Sequence, residues 1–202
     1  MYDLTLHQVV LRVLAFLIII ATHGAAVAFV AKALGDEGVK QDGRLSVSPI
    51  NHLDVVGFIA AVFGHFGWAK PIAIDPARLR GGSFGLAAVV LAGSLACAID
   101  GSVALALRPF IVNVLPDSAA TNAFALIQVF AEMSFAAAIF NLLPFPPLTG
   151  AHFLAAGAPG LRENIPRIGL YIGFFLLVLG VLGVLRAMFW PMIELLMGLV
   201  RV

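Results

Sequence analysis

The stretch Val9 to Leu34, VVLRVLAFLIIIATHGAAVAFVAKAL, decides the fold class. It is apolar enough and long enough to cross about 30 Å of hydrocarbon as a helix. Its only charges are Arg12 near the start and Lys32 near the end, and Gly35 follows it. Three further stretches have the same character. They run from Phe84 to Leu107, ending at Arg108-Pro109; from Ala119 to Leu143, stopped by Pro144; and from Ile168 to Leu185, ending at Arg186. A last apolar segment, 188–202, either continues the fourth helix through a kink at Pro191 or lies in the membrane interface. The whole chain of 202 residues is 61% hydrophobic and 11% charged, with a mean hydropathy of +1.04. Soluble domains carry about a quarter charged residues. These features predict an all-α membrane protein, one integral domain over 1–202, with about four spans.

The net charge of +1 excludes a basic face for nucleic acid. One cysteine, Cys97, excludes an internal disulfide and a cysteine-based zinc cluster. Met1 to His7 has no basic run, so the first apolar stretch reads as a retained span and not a signal peptide. The segment Asp36 to Ser83 carries Lys40, Arg44, Lys70, Arg78 and Arg80. The positive-inside rule puts it in the cytoplasm, with Arg162 and Arg167 on the same side. Arg108 and Arg201 fall on the other side, and both termini with them. Arg12 is expected to snorkel to the outer interface. Within the segment, Arg44 to Val47 alternates like a short strand, and Val55 to Phe66 is an apolar run too short to span. A re-entrant or hairpin insertion between spans one and two is expected.

Two places concentrate motif-like residues. The first holds Gly35-Asp36, the string GRLSVSPINHLD over 43–54, and FGWAKP over 66–71. The second is NLLPFPPLTG over 141–150. Together they resemble the site-2 family of intramembrane zinc metalloproteases, in its short bacterial branch. That branch typically reads HExxHA, LGD, GRLTLNPxxHxDxxG, FGWAKPVPVNP, AGPxxN and NLLPIPPLDG. The resemblance covers most of Thr22 to Phe153 and implies a multi-pass protein of the bacterial cytoplasmic membrane. It also implies a zinc site: two His of HExxH as ligands, the Glu between them as general base, and the Asp of PPLDG as third ligand.

At those positions this chain departs from the pattern. The first His is His23, but the Glu position is Gly24, the second His position is Val27 and the Asp position is Thr149. The AGPxxN asparagine is Cys97. Val has no donor atom, and a neutral Thr hydroxyl is a poor substitute for a carboxylate. The expectation is a pseudoprotease that cleaves nothing and needs no cofactor, zinc included. It would serve as a structural, accessory or assembly subunit among other integral membrane proteins. Two alternatives stay open. One is a lipid, quinone or pigment binder using the vacated cavity. The other is an enzyme with rebuilt chemistry, either on a new metal site at His23 or without metal. His52, His65 and His152 are the other histidines such a site could draw on, but no pair of them has ligand spacing.

Other residues invite a functional and a plain reading. His23 is a relict ligand or a buried, hydrogen-bonded histidine. Asp100 and Glu132 sit inside spans two and three, where ionisable groups face a bundle interior or a partner. Asn141 and the prolines of Pro144-Phe145-Pro146-Pro147 end span three, and the chain is expected to run extended there, open to strand addition. Trp190 reads as an interfacial anchor or as part of a helix that docks on another membrane protein.

Overall fold

The computed structural model describes residues 5–157 and 164–200. Arg162 and Arg201, used above for orientation, lie outside them. Among the described residues the structure is helical and contains no strand. Helix α1 spans Leu6–Ala33, α2 Gly38–Gln41, α3 Pro49–His52 and α4 Val55–Gly64. A 3-10 turn, Pro76–Arg78, precedes α5, Ser83–Val114. Then come α6 Asp117–Phe140, α7 Ala151–Gly157, α8 Ile165–Val181 and α9 Val184–Val200.

Helices α1, α5 and α6 are each long and apolar enough to cross a membrane. The pair α8–α9 counts as a fourth crossing if its bent halves form one span. Helices are what an apolar chain must form in lipid, because each satisfies its own backbone polar groups. The Thr5 hydroxyl caps α1 by accepting from the Gln8 amide at 3.3 Å. Leu6, Val10, Leu14 and Ile18 recur every fourth residue and are exposed, a stripe suited to lipid contact. The opposite face packs on α4, α5 and α6. Phe66, Phe140 and Phe189 interlock at centroid distances of 5.4, 5.8 and 6.0 Å, tying the loop after α4 to α6 and α9.

Several expectations need correction. Helix α5 does not stop at Arg108-Pro109: Pro109 lies inside it. A proline removes one intrahelical bond, and the helix carries past it until Leu115-Pro116. The break in the fourth apolar stretch falls at Gly183 and not at Pro191, which sits within α9. Gly183 has φ 78°, a left-handed backbone that glycine adopts without strain, and the two helices meet there at 76°. The Arg44–Val47 strand is absent. Arg44 is buried instead, its guanidinium donating to the carbonyl of Asn51 and, at 2.9 Å, to that of Pro71. Arg12 does not snorkel. It is buried and donates to the Val62 carbonyl at 2.7 Å, in the last turn of α4, where carbonyls lack intrahelical partners. The short apolar run does form a helix, α4, ending at His65 in a left-handed conformation.

The segment between α1 and α5 is held by polar side chains. Asp36 is buried and accepts from the Gly38 amide at 3.0 Å and the Asp75 amide at 2.9 Å. Asp54 caps α4 through the Gly57 amide at 2.7 Å and accepts from Trp68 Nε1 at 3.1 Å. The Lys70 amide donates to the His52 carbonyl at 2.7 Å. These bonds fold the 43–54 and 66–71 strings into one clamp beside α1.

Candidate functional site

A cavity of about 740 Å³ lies between α1, this clamp, the loop after α6 and the start of α8. His23, Gly24 and Val27 reach it from α1, and Pro146, Pro147 and Thr149 from the loop. Lining residues Asp36, Asp42, Lys70, Asp75 and Arg78 give its other end a polar wall. Two glycines one helical turn apart shape the α8 side. A Cβ at Gly173 would come within 3.1 Å of the Trp68 ring, and one at Gly169 within 3.3 Å of Pro146. The sequence reading missed this pair, although its small-xxx-small spacing is a readable signal for close packing.

The loop closes on itself and does not run extended. Leu148 donates to Phe145, Ala151 to Leu148 and the Gly150 amide to the Asn141 carbonyl, at 2.9, 3.1 and 2.8 Å. Gly150 is packed so tightly that a Cβ would sit 2.4 Å from the Leu142 carbonyl oxygen. The expected edge for strand addition is therefore missing: the backbone groups that would offer it are spent on turns. Asn141 is buried and its side-chain amide donates to the Ala137 carbonyl at 3.0 Å, so it braces the helix end. Pro146 and Pro147 face the cavity, while Pro144 and Phe145 are exposed away from it.

At the cavity floor His23 and Thr149 meet. His23 Nε2 lies 2.8 Å from Thr149 Oγ1. The other edge of the ring rests on α5, where Cys97 Sγ is 3.7 Å from Nδ1. A Cβ on Gly93 would come within 2.7 Å of that Nδ1, so α5 reaches the ring closely only because position 93 has no side chain. In the Nδ1–H tautomer Nε2 accepts the Thr149 hydroxyl proton; in the other tautomer it donates to Oγ1.

Gly24 has a reason the sequence did not show. A Cβ there would lie 2.2 Å from Nδ1 of His52. The imidazole of His52, fully buried, occupies the space a side chain at 24 would need. His52 Nε2 donates to the Ser46 carbonyl at 2.8 Å, and Nδ1 has no hydrogen-bond partner among the described residues. Burial first, then the neighbouring Arg44, pushes His52 below the usual imidazole range, against the opposing pull of the Ser46 carbonyl. Val27 is buried in an apolar cluster with Ala28, Ala31, Leu86 and Val89.

Zinc, which the resemblance implies for the family, does not fit these residues. His23 Nε2 faces a neutral hydroxyl, and position 27 is buried hydrocarbon. Among the described residues no group of three or more His, Cys, Asp or Glu is placed to hold a metal ion.

The remaining candidates lie elsewhere. Thr22 donates to Asp100 at 2.5 Å, joining α1 to α5. Gln128 donates to Glu132 at 2.6 Å within α6. Trp190 is half-buried under the Arg186 guanidinium, 4.4 Å from the ring centre, which makes it part of the α9 packing.

Comparison with known proteins adds one relative. The chain is 29% identical over 186 residues to the "Putative zinc metalloprotease YwhC" of Bacillus subtilis (strain 168), covering 90% of this chain and 85% of the relative. No family model matches the chain, and no solved structure is similar to it. The likeness to a metalloprotease thus extends beyond the motif strings to nine-tenths of the chain. It corrects the expectation that the chain is no enzyme: the relative carries the name of a protease, and that points toward proteolysis.

Proposed function

We propose that the protein is a membrane-embedded protease that takes a segment of another membrane protein into its cavity and opens a peptide bond there without zinc. The observation that carries this reading is the meeting of His23 and Thr149 at 2.8 Å on the floor of the cavity. The relative's name supplies the reaction class, peptide hydrolysis. A cavity of about 740 Å³, partly apolar, suits a few residues of polypeptide better than a whole helix. Its polar wall supports the entry of the water that hydrolysis consumes. Lys40, Arg44, Lys70, Arg78 and Arg80 support a cytoplasmic position for the segment between α1 and α5, with both termini outside.

The test is cleavage in proteoliposomes. The purified chain is reconstituted with membrane proteins from its own cells, and new peptide termini are mapped by mass spectrometry. New termini within or beside apolar segments are expected, unchanged by a zinc chelator. Cleavage lost with chelator and restored by zinc would overturn the metal-free part. Segments crosslinked in the cavity but never cut would overturn the protease reading.

The volume and apolar share of the cavity also favour a second reading, a bound lipid, quinone or pigment. Organic extraction of the purified protein, followed by mass spectrometry, detects such a ligand directly.

A further inference from the structure

We propose that Thr149 is a nucleophile and His23 its general base, an acyl-transfer pair that stands where the zinc ligands of the resembled family would be. The proposal rests on the protease reading above and gives that reading its chemistry.

Three observations meet in this pair. First, the hydroxyl and the imidazole are within hydrogen-bond reach, 2.8 Å apart, across 126 positions of sequence. A hydroxyl is a weak nucleophile until an adjacent base takes its proton, and this spacing is what that transfer requires. Second, the base is held from its other edge. Gly93 has no Cβ to push the ring away, and Cys97 Sγ lies 3.7 Å from Nδ1. In the Nδ1–H tautomer Nε2 presents its lone pair to Oγ1. Third, both side chains line the cavity, so an acyl group in it can approach Oγ1 directly. A nucleophile within hydrogen-bond reach of its base, with the base packed in place, is a constellation that marks covalent catalysis on unrelated folds.

The chemistry balances with water as the only co-reactant. Thr149 Oγ1 bonds to the scissile carbonyl carbon as its proton moves to His23 Nε2. The C–N bond then breaks, and the same proton leaves with the amine, giving an ester on Thr149. Water attacks the ester carbon while its proton moves to Nε2. The bond to Oγ1 breaks, Oγ1 takes the proton back, and the carboxylic acid departs.

The probe is an alkyne-tagged β-lactone, which acylates activated hydroxyls by ring opening and needs no peptide substrate. It is applied to the full chain in proteoliposomes with a zinc chelator present, and the labelled peptide is mapped. Label on Thr149 is expected, kept in Thr149→Ser and lost in Thr149→Val. A general base contributes about a hundredfold or more, so His23→Gln should slow labelling by about that factor. The conservative Ser variant guards against a folding failure being read as a loss of the nucleophile. Equal labelling in His23→Gln would overturn the pair, since the hydroxyl would then react unaided. Membrane-protein cleavage that persists in Thr149→Val, with no label on Thr149, would overturn the pair and leave the protease reading standing. Label on Thr149 with no cleavage of any membrane protein would uphold the pair and sink the peptide substrate.

Discussion

The clamp formed by residues 43–54 and 66–71 differs from the cavity floor at positions 23, 24, 27 and 149. In the clamp, motif residues have structural partners: Arg44 holds two carbonyls, Asp54 holds the α4 amide and Trp68, and Gly57 lies under the Trp68 backbone. On the floor, the side chains at positions 24 and 27 offer no donor atom, yet both positions are packed. His52 fills the space at Gly24, and Val27 belongs to a buried apolar cluster. The clamp strings carry the fold through their own hydrogen bonds, and the floor is packed around residues that offer no zinc site.

The largest expected effect breaks the clamp. Gly57→Ala would place a Cβ 2.2 Å from the Trp68 carbonyl oxygen, and backbone cannot swing aside as a side chain can. A loss of about 3 kcal/mol or more is expected, read as a lower thermal midpoint in detergent. Gly24→Ala sharpens the comparison, because there the obstacle is a side chain, the His52 ring. It should cost about 2 kcal/mol alone. Combined with His52→Ala, the total should fall short of the sum of the single changes by at least about 0.5 kcal/mol in a double-mutant cycle. Additive costs would mean that His52 does not hold position 24 closed.

Trp68→Phe keeps the ring but removes the Nε1 donor to Asp54. About 2 kcal/mol should be lost, since the acceptor is a carboxylate. Gly183→Ala forces a side chain into the left-handed region at the α8–α9 break and should cost about 1 kcal/mol, measured the same way.

The smallest effect is on pH dependence. His52 is held below its ordinary value, so the unfolded chain binds a proton there that the folded chain does not. Its contribution to stability is full above the unfolded value of about 6.5 and falls as pH drops below it. His52→Gln should flatten the stability curve as pH falls below about 6.5.

Much of the fold was legible locally. The apolar runs of α1, α5 and α6 mark themselves by hydropathy, and α4 by its shortness. The ends of helices were less legible. Pro109 looked like a stop and is not one, because a proline removes one intrahelical bond and the helix runs on past it. A kink at Pro191 was one of two readings of the last segment, but the turn fell to Gly183, where a positive φ costs glycine nothing. Of the candidate residues, His23, Gly24, Val27, Pro146, Pro147 and Thr149 come together at the cavity, whereas Asp100, Glu132 and Trp190 pair within the bundle.

The sequence by itself determined the solvent of this protein, the three long apolar runs that become α1, α5 and α6, and the absence of side-chain donor atoms at positions 24 and 27. Those properties depend on residue type and on runs of near neighbours. Only the tertiary structure decided that His23 and Thr149 touch, that Gly93 packs against the imidazole, that His52 occupies the space at Gly24 and that the proline loop is wound into turns. Each of these depends on packing between segments far apart in the chain, where a shift of one ångström separates a hydrogen bond from a void and no local pattern encodes the distance.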